Sequence, residues 1–197
     1  MNQIVSVIKQ EIIKRSNAFE EQTKGTKDEY NLYEKHVKYV YRYVLKLSKD
    51  KNVDREVLEI SALLHDIAMT DINLKRENHN VDGAIIANQL LQELEYPDDK
   101  RELVRLCILN HSNKRKDFRT TEEEQILVDA DGLSHFDDIA SLYSLAHDVM
   151  NLSDKESLKF IQNKLTKDYN EISANLKYLI NDKYQNIMNA KDIEEIL

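Results

Sequence analysis

The sequence predicts an all-α protein on three observations. Only three Gly and one Pro occur in 197 residues, so breakers of helix are scarce. Apolar residues recur at helical spacing through most of the chain. No alternating run long enough for a strand is present; "QILVDAD" is the nearest, and it sits in helical surroundings.

The elements follow in order. Ile4, Ile8, Ile12 and Phe19 share one face and predict a first helix over about 2–20. "TKGTKD" around Gly25 breaks the chain. Val37, Val40, Val44 and Leu47 predict a second helix over about 28–48. A third is expected over about 54–69, nearly all apolar in its second half, before the loop "TDINLKREN". The fourth, over about 79–95, stops before Pro97, because the residue preceding proline disfavours the α conformation. A fifth runs over about 98–112, followed by the basic loop "SNKRKDFRT". Thr121 and Glu124 have the spacing of a capping box, and Ser153 and Glu156 repeat it, so a helix is expected after each. Leu158, Ile161 and Leu165, then Leu176, Leu179 and Ile187, face inward in the remainder. No repeat or Ser/Gly/Pro linker appears, so the expectation is one domain over 1–197. Its parts are an N-terminal helix over 1–26, a core over 27–150 and closing helices over 151–197.

The formal net charge of −8 and the pI near 5.3 argue against a nucleic-acid partner, which asks for a basic face. A phosphate compound stays admissible if a metal or a local basic cluster offsets the repulsion. Cys107 is the one cysteine, so no intrachain disulfide can form; in "LVRLCILN" it reads as a small buried hydrophobe. No apolar run is long enough to cross a membrane, and "MNQIVSVIKQEIIK" is amphipathic rather than signal-like. The expectation is a cytoplasmic protein with no membrane partner; the oligomeric state is open.

Two His-Asp dipeptides occur, His65-Asp66 and His147-Asp148. On a continuous helix Asp66 has Ala62, Leu63, Met69 and Thr70 as neighbours, almost no polar face. An unpaired carboxylate buried there costs several kcal/mol, so a buried base or a metal ion is required. Asp148 instead belongs to a polar stripe with Ser141, Ser144 and Asn151 and is free to face water. The second pair is expected to be inert. The remaining candidates are weak one by one. His36 reads as a helix-edge residue, His79 as a loop or capping residue, and His111 as a helix-end residue favoured by the dipole. Asp131 leans to an apolar face, whereas Asp129 reads as solvated. His135 follows Gly132, where a helix bend or end is expected, and reads as structural. Together these residues place imidazoles and carboxylates at the ends or inner faces of five consecutive helices, as in a metal site within a bundle.

In this order, His36, His65-Asp66 and Asp131, the residues form the pattern H…HD…D, and the sequence resembles the HD-domain superfamily of metal-dependent phosphohydrolases. "HVKYVYRYVLKL", "VLEISALLHDIA" and "ILVDADGLSHF" carry the likeness over roughly residues 30–150. "HNVDGAIIANQLL" with His79 and "CILNHS" with His111 resemble the small bacterial HD hydrolases. The resemblance implies an HD-type helical bundle with His36, His65, Asp66 and Asp131 as metal ligands. It implies that Asp66, His79 and His111 serve catalysis, the two histidines as second-metal ligands or as groups that touch phosphate or move a proton. Many relatives carry a lysine just after the His-Asp pair; here the run is "HDIAMT". Phosphate contact would then fall to Lys75, Arg76, Lys114 and Arg115, with Lys116 and Arg119 beside them.

Two imidazoles and two carboxylates suit one or two divalent transition ions, Mn²⁺, Fe²⁺, Co²⁺, Zn²⁺ or Ni²⁺, with Mg²⁺ the poorer fit. The activity implied is hydrolysis of a phosphoester or phosphoanhydride bond in a nucleotide or another small phosphate compound. Two alternatives stand beside it: a di-iron HD-type oxygenase, and a ligand-binding or regulatory HD module without turnover.

Overall fold

A computed structural model describes residues 3–197. Among them no strand is present, and helices account for nearly all regular structure, as expected. The first helix, α1 (Gln3–Thr23), buries Val5, Ile8, Ile12 and Phe19; the expected start at residue 2 lies outside the described residues.

The second helix begins later than the expected residue 28. Asn31 is tied across the chain: its amide donates to Asn17 Oδ1 (3.0 Å) and Glu20 Oε2 (2.7 Å), and its Oδ1 accepts the Glu34 N–H. Helical structure starts beyond it with a widened turn over Tyr33–Val37, where the Lys38 N–H reaches back to the Tyr33 carbonyl, and continues as α2 (Lys38–Leu47). Such π turns recur at functional sites because they displace one side chain from the regular helical track. Here the displaced turn carries His36.

The third helix is the principal correction to the expected elements. α3 (Arg55–Leu64) is capped by the Asp54 side chain, which accepts the Val57 N–H, and it ends at His65 rather than running to residue 69. Asp66 has left helical geometry (φ −111°, ψ 20°), and a short 3₁₀ turn follows over Ile67–Thr70. The helix α4 (His79–Glu93) packs on that break. Gly83 makes the approach tolerable, since a Cβ there would stand 3.2 Å from the His65 carbonyl oxygen. Apolar residues continue through both segments, so periodicity could not mark the break.

α5 (Asp98–Asn110) follows Pro97 and packs against α4. The basic loop then forms a short 3₁₀ segment, Asn113–Phe118. α6 (Glu122–His135) opens with the expected capping box: Thr121 Oγ1 accepts the Glu124 N–H, and Glu124 accepts the Thr121 N–H. α6 continues through Gly132 and ends at His135, as one of the two expectations, a bend or an end, had it. The glycine serves proximity, since a Cβ there would lie 3.0 Å from Ile172 Cγ1. Beyond lie α7 (Ile139–Ser144), a π turn over Leu145–Val149, α8 (Asp154–Glu171) and α9 (Asn181–Asn189). At the start of α8 the Ser153 N–H and hydroxyl both donate to Glu156, as the spacing predicted.

Two apolar clusters meet along α6. Ile126, Leu127 and Ala130 pack with α1 to α5, and Leu133 packs with α7 to α9. Tyr43 and Leu47 of α2 touch both. Cys107 is fully buried in the first cluster, and burial pushes its thiol far above the usual range. No helix among the described residues is long and apolar enough to cross a membrane.

Candidate metal centre

The break after α3 brings the predicted residues to one place. His36 comes from the π turn before α2, His65 and Asp66 from the end of α3, His79 from the start of α4, His111 from the end of α5, and Asp131 from the middle of α6. They form two groups, His36, His65 and Asp131 in one and Asp66, His79 and His111 in the other; within each, the candidate donor atoms lie within 4.8 Å of one another.

Asp66 joins the groups. Its Oδ2 lies 3.5 Å from His65 Nε2 and 3.7 Å from His36 Nε2. Its Oδ1 lies 3.6 Å from both His79 Nε2 and His111 Nε2. Oδ1 is buried and has no hydrogen-bond partner. A buried carboxylate oxygen without a donor is costly, and such atoms call for a cation.

The imidazoles are prepared for one. His65, His79 and His111 each set Nδ1 against a carbonyl three residues earlier, Ala62 (2.9 Å), Arg76 (2.8 Å) and Ile108 (2.6 Å). A carbonyl only accepts, so each Nδ1 carries the hydrogen and each neutral ring turns a bare Nε2 inward. Ser134 does the same for His36: its hydroxyl donates to the Asp131 carbonyl (2.7 Å) and is left to accept at 3.5 Å from His36 Nδ1. Two pairs of lone pairs consequently face each other, His36 Nε2 and His65 Nε2 at 3.0 Å, and His79 Nε2 and His111 Nε2 at 3.1 Å. Neighbouring donors that share one ion at about 2.1 Å stand roughly 3.0–3.4 Å apart, so these separations fit.

Without an ion, protons take up the role. Burial works against charge on His36, but the Asp131 carboxylate at 3.1 Å, with Asp66, outweighs it and raises its pKa. His65, fully buried, is pushed down to about 4 by burial against the pull of Asp66. A proton is thus held more readily on His36 than on His65 beside it. His111 is raised because the Asp66 carboxylate outweighs its burial. Burial would raise Asp66 and Asp131. The histidines around them, His65, His111 and His79 for Asp66 and His135 and His36 for Asp131, instead hold both well below the carboxylate range.

Other predicted residues fare differently. Lys75 and Arg76 are exposed just before His79, and the Arg76 carbonyl is what orients that ring. Lys114 is exposed beyond His111. Arg115 is held in its own loop, donating to Asn110 Oδ1 (2.8 Å) and lying 4.4 Å over the Phe118 ring. The Arg119 side chain, 5% exposed, donates to the carbonyls of Asn110, His111 and Ser112 and to Glu171, so it caps the end of α5. Asp129, expected in water, is buried; it accepts from the Ser173 N–H and hydroxyl and from Gln125, and fastens the segment after α8 to α6. Asp148 is exposed, as expected, and His147 beside it is partly exposed, in a segment that forms a π turn.

His135, which reads as structural from the sequence, lies beside this centre. Its ring stacks on His36, with centroids 5.1 Å apart and planes at 10°, and its Nδ1 lies 3.2 Å from Asp168 Oδ2. The available signal was its i+4 spacing from Asp131, which puts both on one face of a continuous helix. Asp168 and Lys164, from α8, gave no local signal.

Residues 33–136, more than half of the chain, match the HD domain family, and the chain belongs to it. Members of this family are generally metal-dependent phosphohydrolases. Comparison with the curated proteins gives no match, and neither does comparison with the solved structures.

Proposed function

We propose that the chain is a metal-dependent phosphohydrolase that cleaves a phosphoester or phosphoanhydride bond in a small phosphate compound, most concretely a nucleotide. The observation that carries this reading is the Asp66 carboxylate, set between two pairs of opposed imidazole lone pairs with one oxygen unpartnered. His36, His65, Asp131 and Asp66 Oδ2 would hold one ion; His79, His111 and Asp66 Oδ1 would hold a second.

A bound ion would lower the pKa of a coordinated water from about 15.7 toward neutrality and polarise the phosphoryl group. The protein residues supply the rest. The four carbonyl- and hydroxyl-anchored rings keep their tautomers through the reaction, so no rotation is needed when substrate arrives. Four nitrogen donors favour Mn²⁺, Fe²⁺, Co²⁺, Ni²⁺ or Zn²⁺ over Mg²⁺. Two carboxylates do not cancel two divalent ions, so an acidic protein keeps a locally positive centre for a phosphate. His79 is the most exposed of the ring donors, at 28%, which makes its side the entry for substrate. Lys75 and Arg76 precede it and Lys114 and Arg115 follow His111, so these cations would flank that entry.

The test is release of phosphate or pyrophosphate from a nucleotide panel with Mn²⁺. His65→Ala and Asp66→Ala are each expected to abolish it; activity surviving both overturns the reading. The same six residues would also hold two irons, and two irons per chain with oxygen consumption would favour an oxygenase instead.

A further inference from the structure

His135 is held differently from the four histidines beside it. Its Nδ1 meets side chains: Lys164 Nζ at 3.2 Å and Asp168 Oδ2 at 3.2 Å. Lys164 also donates to both Asp168 oxygens at 2.8 Å. Both partners lie on α8, outside the residues matched to the family. On the opposite edge of the ring, Nε2 points toward the metal centre and lies 3.9 Å from Asp131 Oδ1.

The partners select the tautomer. Asp168 is engaged by the ammonium at shorter distances than by the ring, and Lys164 has a third N–H to give to Nδ1. The other edge faces a carboxylate, which only accepts. A neutral ring between a donor and an acceptor places its hydrogen on Nε2. That is the reverse of His36, His65, His79 and His111, which all turn a bare Nε2 inward. An Nε2 that carries hydrogen is unsuited to ligate a metal and suited to donate to an anionic oxygen. Asp131 Oδ1 does not use that donor, because 3.9 Å exceeds hydrogen-bond reach.

We infer that His135 is a substrate-contacting residue whose Nε2–H donates to a phosphate oxygen bound beside His36 and Asp131, with Lys164 and Asp168 as positioning residues. The identity of the anion rests on the phosphohydrolase reading. The inference also gives α8 a part in the site, which the His and Asp pattern of the preceding helices does not include. It supplies a donor close to the centre where "HDIAMT" offers no lysine.

The test is calorimetric titration of Mn²⁺-loaded protein with inorganic phosphate, with metal content measured on the same samples. His135→Ala is expected to keep the wild-type metal content, unlike His36→Ala, and to weaken phosphate binding about tenfold or more, the scale of one charge-assisted hydrogen bond. In any substrate that is turned over, KM should rise correspondingly. His135→Gln keeps an N–H donor and should retain more affinity than Ala. Lys164→Met and Asp168→Asn should lose part of it. Metal loss in His135→Ala equal to that in His36→Ala overturns the inference, as does wild-type phosphate affinity in His135→Ala or equal affinity in the Gln and Ala variants. Wild-type protein that binds phosphate and hydrolyses nothing overturns the hydrolase reading and leaves His135 standing. Metal-loaded wild type that binds no phosphate overturns both.

Discussion

Asp66→Asn is the substitution that most directly tests a centre of two ions. The amide keeps the shape of the side chain and removes the charge that lies 3.5–3.7 Å from four imidazole nitrogens. The two groups should respond unequally. The group of His36 and His65 keeps the Asp131 carboxylate, 3.1 Å from His36 Nε2. The group of His79 and His111 keeps no carboxylate at all. Removing one partner of a buried charge pair costs about 3–5 kcal/mol, so the second ion should bind roughly a hundredfold to a few thousandfold more weakly. The first ion should be weakened less. Asp131→Asn should show the mirror image, losing the first ion and sparing the second, and His111→Ala should lose only the second. Metal content after dialysis, together with calorimetric titration, reads these outcomes as a fall from two ions per chain to one. The reasoning is refuted if Asp66→Asn holds two ions with wild-type affinity. It is refuted equally if Asp131→Asn and His111→Ala strip the same ion.

Three further outcomes are expected. For the metal-free chain, His65 binds fewer protons folded, at a pKa of about 4, than unfolded, at about 6.5. Its contribution is therefore fully present above pH 6.5 and lost as pH falls toward 4, about 3 kcal/mol in all. His36 and His111, raised on folding, contribute below pH 6.5 and lose that contribution as pH rises through their folded values. Urea unfolding in chelator should thus show greatest stability near pH 6.5, and His65→Ala should flatten the acid side; an unchanged acid side counts against the assignment. Arg119→Ala leaves three carbonyls at the end of α5 and Glu171 without their buried donor, so about 3 kcal/mol of stability should be lost in denaturant unfolding. His147→Ala should leave metal content and activity at wild-type values, because that pair lies outside both donor groups; loss of either with the fold intact would contradict that placement.

Much of this molecule was legible in its sequence. Helical periodicity and the scarcity of Gly and Pro set the fold class, and the capping spacings at Thr121 and Ser153 marked two helix starts that the structure retains. These are local effects, decided by neighbours three or four residues away. The pattern of His36, His65-Asp66 and Asp131 was legible for a related reason: a polar residue on an apolar face demands a partner wherever it is. Tertiary structure alone decided which partner. The break after Leu64 arises where α4 presses Gly83 on the His65 carbonyl, and it turns Asp66 from a helix face to a position between two groups. The same applies to Asp129, which looked solvated on its own helix and is buried by Ser173 from 44 residues away. It applies again to His135, whose tautomer is set by Lys164 and Asp168 across a helix–helix contact. Local pattern fixes which residues need compensation. The packing of distant segments fixes which atoms supply it, because hydrogen bonds and lone pairs act over about 3 Å, whatever the separation along the chain.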